Sequence, residues 1–405
     1  MTCFSKRRES RPCRCPGPAS STPALRGRAF WFSAMLVLVV PVPLSAAPEP
    51  IQTDFLDDRV LAELPASVPP VITGRATAQQ AAETLKTLIS KARSTGDPRY
   101  LGYAETLIGR WPDQQLTDQL LVLRATLRQS LHQFAAARAD LARVLSRATD
   151  IRQRIQARLT LANLELVQGR YPEARQQCQA LRAVYPGLIA QSCLAQVAAR
   201  TGSAEQAYLT LKRQVHAATN TGAADRTSRL WAEGTLGDMA AQAGLRSAPR
   251  HWQAVLSINP DDLYIRAQLA DWYLGQGDFD AVLVLTRGYE AVDSLAVIQA
   301  IAMTELGHTE ADELNRRLRQ RFAEARWRGA MLHKRDFARF QLDVERRPKV
   351  ALDIALENWQ SQREPLDTRL VLRAALAANN TRKLTQVLDW LTRHGQVDAR
   401  YPEIR

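Results

Sequence analysis

Gly169-Arg170-Tyr171-Pro172-Glu173-Ala174 is the stretch whose reading decides the fold. A glycine suited to a left-handed turn is followed by a polar residue, an aromatic, two residues that start helices well, and an alanine. An apolar-striped helix then runs on to Tyr185-Pro186. The block returns as Thr201-Gly202-Ser203-Ala204-Glu205-Gln206-Ala207 and as Gln276-Gly277-Asp278-Phe279-Asp280-Ala281. A looser copy is Leu131-His132-Gln133-Phe134-Ala135-Ala136-Ala137. Recurrence at a period in the thirties predicts helical hairpins stacked side by side, so the fold class is all-α.

Outward from this block, the helical period persists from Ala76 to about Arg393. Turns are expected at Gly96, His132, Gly169, Gly202, Gly244, Gly277, Gly307 and Asn380, with one more near Arg346 to Pro348. Nine hairpins follow, forming a repeat array over 76–395 and leaving a tail at 396–405. The interval between Gly202 and Gly244 is the longest, and the polar, glycine-containing stretch 217–227 is the expected insertion. Residues 48–75 contain five prolines and read as an extended lead-in.

The formal charge of +13 resembles a nucleic-acid signal until it is divided along the chain. Residues 1–46 hold seven basic residues and one acid, leaving +7 on the rest. Most of the remaining charges alternate on helix faces, which argues against nucleic acid as a partner. The densest basic stretch, Arg316 to Arg328, carries Phe322 and Trp327, both read as core.

The first 47 residues form a basic region ending at Arg28, an apolar run over 29–44 and then Ser45-Ala46-Ala47. This order reads as a secretory signal peptide cut after Ala46 or Ala47, with a periplasmic location for the mature chain. The alternative is an inner-membrane anchor formed by residues 29–47, and only then would the chain partner a membrane. Export leaves Cys178 and Cys193 as the mature cysteines, either side of Tyr185-Pro186-Gly187. A disulfide between them and two buried thiols both remain open readings.

The pattern resembles the tetratricopeptide repeat, a helix-turn-helix unit of 34 residues. With each turn residue as position 15, the small residue at position 8 is Ala125, Ala162, Ala195, Gly237, Ala270 and Ala300. The position-20 alanine is Ala137, Ala174 and Ala207, with Val282 in its place later. Small side chains there let the two helices of a hairpin approach closely. Units beyond Gly307 lose the position-20 alanine, as terminal repeats do. The resemblance implies a right-handed superhelical α-solenoid whose first helices line a concave groove.

Chemistry is sparse by comparison. None of the six histidines has another His or Cys within a helical turn, and no phosphate-binding or nucleophile motif is present, so no catalytic, metal or cofactor residue is expected. The resemblance instead directs attention to the groove positions. Position 9 reads Thr126, Asn163, Gln196, Asp238 and Asp271, and Gln129, Arg200 and Gln242 add polar groups at positions 12 and 13. Position 5, where family members that grip a terminal carboxylate carry Lys or Arg, is Val122, Leu159, Ser192, Gly234 and Ala267. A neutral to mildly acidic groove follows. The expected function is a non-enzymatic exported scaffold or adaptor binding a protein or peptide in its groove, with a polysaccharide- or peptidoglycan-handling or secretion-machine accessory module of the cell envelope as the alternative.

Overall fold

The computed structural model describes residues 77–220, 225–329 and 331–403. The expected leader and lead-in lie outside the described residues. Eighteen α-helices follow one another, and among the described residues there is no strand. They pair as α1 (Ala78–Thr95) with α2 (Arg99–Gly109), α3 (Asp118–Ser130) with α4 (Phe134–Arg147), and α5 (Ile151–Val167) with α6 (Tyr171–Val184). Next come α7 (Leu188–Ala198) with α8 (Ala204–Asn220), α9 (Arg226–Gln242) with α10 (Ala248–Ile258), and α11 (Leu263–Gly275) with α12 (Phe279–Thr286). The last pairs are α13 (Asp293–Leu306) with α14 (Ala311–Trp327), α15 (Lys334–Asp343) with α16 (Pro348–Trp359), and α17 (Pro365–Ala377) with α18 (Thr381–His394).

Local chemistry sets the ends of these helices. Thr77 and Gln80 close a capping box at the start of α1, and Thr117, Asp150, Asp225, Asp262 and Asp278 each accept a bond from a first-turn backbone N–H of the helix that follows. Turns within hairpins take a positive φ at Gly96, His132, Gly169, Gly202, Gly244, Gly277, Gly307 and Arg346. In the last hairpin it is Asn379, one residue before the expected Asn380, that does so. Asn380 instead caps α18 by accepting from Lys383 N. The stretch expected to be an inserted loop is partly helical, since α8 continues to Asn220 and α9 starts at Arg226.

Small residues let paired helices touch. Ala125 and Ala137, and likewise Ala162 and Ala174, are fully buried between their helices. At Gly237 an added Cβ would stand 2.6 Å from Trp252 Cδ1, so α9 and α10 can approach this closely only around a residue without a side chain.

The array then closes on itself, and this the repeat pattern did not predict. The turn at Gly96 meets Val292, His132 meets Gln362, Gly169 meets Arg363 and Trp390, Gly202 meets Gly395, and Gly244 meets Ala399. Five successive turns of the first half are thus met, in order, by residues of the second half. Arg363 N donates to Val167 O at 2.7 Å, and Trp390 packs against the Tyr171 ring. One buried apolar cluster joins Tyr171, Cys178 and Leu181 to Leu352, Trp359, Val371 and Trp390. Burial of large aromatic and aliphatic surface is what holds the second half over the turn edge of the first. The inner wall is therefore divided into cavities, where the resemblance implied an open groove.

Residues 395–403 also depart from expectation. The sequence has no helical period there and reads as a tail, yet Gln396 and Asp398 are buried. Gln242 Nε2 donates to Val397 O at 2.8 Å, and Ala399 N donates back to Gln242 O at 2.8 Å. Gln396 Nε2 donates to the Tyr171 hydroxyl at 2.9 Å. This strip of chain thus lies against the turn ends of the hairpins that begin with α5, α7 and α9.

Candidate binding cavity

Stacking brings side chains more than thirty residues apart in sequence onto one face. Gln129 on α3, Asn163 on α5, Gln196 on α7, Arg200 just past the end of α7 and Asp238 on α9 line a single cavity of about 580 Å³. Arg93 from α1, Trp231, Tyr264 and Glu364 complete its polar wall, while Leu166, Val167, Val255 and Ile265 give it an apolar side. The volume falls within the range of about 300–1,000 Å³ that takes a small ligand or a short piece of chain.

Three of the residues expected to face a groove do other work. Thr126 donates to Val122 O in its own helix and does not line the cavity. Gln242 is 2% exposed, and its amide is fully engaged by Ala199 O, Val397 O and Arg200 Nη1. Asp271 is 4% exposed and receives Arg339 at 2.6 Å and Arg369 at 2.7 Å. Its role is to tie α11 to α15 and α17. A position-9 acid on the inner wall becomes a structural ion pair because the second half of the array covers it.

The remaining members differ in what they already hold. Gln196 Nε2 donates to Thr235 Oγ1 at 3.1 Å. Asp238 accepts from Trp252 Nε1 at 3.1 Å and from the Tyr264 hydroxyl at 2.9 Å. Burial nonetheless pushes the Asp238 carboxyl up to about 6. Burial would also raise Glu364, but the neighbouring Arg335 and Arg200 guanidiniums bring it below the usual carboxylate range. Among the described residues, the Gln129 and Asn163 side-chain amides have no hydrogen-bond partner.

A second cavity of about 410 Å³ adjoins the first and shares Arg93, Tyr264 and Glu364 with it. His132, His333, Arg335, Asp336 and Arg339 line this one. Burial lowers His132 to about 4, helped by the nearby His333 and Arg335 charges, so its ring is neutral. His333 Nδ1 lies 2.9 Å from Asp293, and that carboxylate raises the imidazole despite burial. Among the described residues no group of His, Cys, Asp or Glu could hold a metal ion. No helix among them is long and apolar enough to cross a membrane.

Sequence reading missed the inner-wall cations. Arg335 and Arg339 on α15, and Arg369 and Arg373 on α17, recur at i,i+4 and so share a helix face. That spacing was visible in Arg335-Asp336-Phe337-Ala338-Arg339. Each of these arginines is met by an acid, Arg335 by Asp367, Arg339 and Arg369 by Asp271 and Arg373 by Asp343, and the larger cavity itself is lined by two arginines and three carboxylates. Trp327, read as core, is 73% exposed, whereas Phe322, Trp252 and Trp390 are buried. Cys178 and Cys193 are joined as a disulfide in the structure, with Cα atoms 5.6 Å apart.

No protein-family model matches the sequence, and no curated protein is similar to it. Among solved structures, a tetratricopeptide repeat protein from Parabacteroides merdae shares 14% identity, covering 72% of this chain and 99% of its own, with a TM-score of 0.35. The tetratricopeptide domain of P58(IPK) shares 18% identity, covering 80% of this chain and 95% of its own, with a TM-score of 0.23.

Proposed function

We propose that this array of tetratricopeptide-type hairpins is a non-enzymatic scaffold whose larger inner cavity receives a short polar segment of a protein partner. The observation that carries the reading is the convergence of Gln129, Asn163, Gln196 and Arg200, from three successive hairpins, on one cavity of about 580 Å³. Two of these side chains keep their amide donors and acceptors unengaged within the described chain. An extended peptide presents backbone carbonyls and N–H groups at regular spacing, and a row of side-chain amides can answer both. One such pairing already exists within the chain, where the Gln242 side-chain amide donates to the backbone carbonyl of Val397.

The direct test is capture of partners by the immobilised chain, comparing wild type with a Gln129→Ala/Asn163→Ala double variant of unchanged circular dichroism. Loss of a specific captured protein supports the reading, and identical capture by the two removes it. Glycan handling is the second reading, favoured by Trp231 and Tyr264 on the cavity wall. It predicts that Trp231→Ala abolishes binding while the amide variants retain most of it. Export to the periplasm belongs to the same proposal. Fractionating cells and sequencing the N-terminus of the recovered chain tests it, with cleavage after Ala46 or Ala47 as the expected result and a full-length, membrane-bound chain as the contrary one.

A further inference from the structure

The charged groups around the larger cavity sort by whether the fold already uses them. Three carboxylates line it, and each has an internal partner. Glu364 is held by Arg335 at 2.8 Å, Asp262 caps α11 through Ile265 N at 3.1 Å, and Asp238 accepts from Trp252 and Tyr264. The two guanidiniums are placed otherwise. Arg200 bonds only the neutral Gln242 amide, at 2.8 Å. Arg93 has no ion-pair or hydrogen-bond partner among the described residues. It is open to cavity water, yet the chain walls it in closely enough that burial lowers its pKa, with no carboxylate near enough to oppose the shift. A guanidinium that faces the cavity with no carboxylate or carbonyl beside it is free to pair with an incoming anion.

We propose that the cavity selects segments bearing carboxylates, which Arg93 and Arg200 bind from opposite ends of the row formed by α1, α3, α5 and α7 while Gln129 and Asn163 hold the backbone between them. This rests on the peptide reading above and narrows it to acidic partners. The cations do not occupy position 5 of any repeat: they lie near the C-terminal ends of α1 and α7, three and two residues before the turn glycines Gly96 and Gly202.

Titration calorimetry with two acetylated, amidated tripeptides, Glu-Ala-Glu and Gln-Ala-Gln, tests the proposal on the full chain. The acidic peptide is expected to bind about tenfold or more tightly than the neutral one, with an affinity that falls as salt is raised. In an Arg93→Gln/Arg200→Gln variant that preference is expected to vanish, while an Arg110→Gln control retains it. Equal affinity for the two peptides overturns the charge selection and leaves the peptide-binding reading in place. Failure of both peptides to bind overturns the selection and the peptide reading together. A free-acid Ala-Ala-Ala binding as tightly as Glu-Ala-Glu would assign the site to a chain terminus and overturn the side-chain assignment.

Discussion

Two glycines inside helices, Gly237 on α9 and Gly102 on α2, make opposite predictions at the residue scale. Gly237 faces the Trp252 ring with no room for a methyl, so Gly237→Ala is expected to destabilise the protein by about 1–3 kcal/mol. Gly102, inside α2, has nothing within 4 Å of an added Cβ, and Gly102→Ala is expected to stabilise by about 0.5–1 kcal/mol. Urea unfolding of both variants checks the pair, and a shared sign would refute the packing account. The inner-wall acids are likewise opposed. Burial would raise Asp271, but Arg339, Arg369 and Arg400 hold it well below the usual range. The unfolded chain therefore takes up that proton first, and the stabilisation, present above about pH 4, is lost as pH falls below it. Asp238 titrates near 6 when folded, so the folded chain binds its proton first and stability falls as pH rises from about 4 to 6. Unfolding free energies measured across this range should lose the first feature in Asp271→Asn and the second in Asp238→Asn. The small residue at 237 was legible from sequence because its partner is fifteen residues away. Asp271 was not, because Arg369 lies 98 residues along the chain and no local pattern announces it.

The helix ends were the most readable feature at the scale of elements. Their signals, a turn glycine or asparagine and a capping side chain, act within four residues. One slip, at Asn379 and Asn380, arose where two adjacent asparagines suit two different jobs, a left-handed turn and a cap, and another at 217–227, where helix runs into the polar stretch from both sides. Cavity residues were legible only as far as helix stacking controls them. Gln129, Asn163, Gln196, Arg200 and Asp238 share a wall because their hairpins are consecutive, while Arg93 lies on α1, before the first unit in which the groove positions were read. The disulfide belongs to this scale too, for it fastens α6 to α7 across a hairpin boundary with a sequence separation of 15. Constraining a loop of that length in the unfolded chain corresponds to about 3 kcal/mol. Reduction, or Cys178→Ala with Cys193→Ala, is expected to lower the midpoint of thermal unfolding accordingly, and an unchanged midpoint would mean the helix packing alone fixes this boundary.

An open repeat array holds together through neighbouring units, and such molecules lose cooperativity as they lengthen. Here Gln396 reaches Tyr171, Gln362 reaches His132 and Arg369 reaches Asp271, so the two halves stabilise one another directly. A single unfolding transition is expected, the same by tryptophan fluorescence and by circular dichroism. Deleting 395–403 should separate the two curves, because it removes the strip that bonds Gln242 and Tyr171. Coincident curves in the deletion variant would assign the coupling to the contacts that remain, those of Gln362, Arg363, Arg369 and Trp390.

That strip also sets when these hairpin ends can be covered. Chains are made from the N-terminus, and hairpins α1 to α10 can form as soon as they appear, since their partners are adjacent. Their turn edges and inner wall nevertheless stay uncovered until residues 363, 390 and finally 396–399 have been synthesised. Nascent chains stopped short of Gln396 should therefore be cut readily by protease near Tyr171 and Gln242, with resistance appearing once 396–399 are present. A chain stopped before this segment is therefore expected to leave the ends of the hairpins around Tyr171 and Gln242 uncovered, however well those hairpins have formed by themselves.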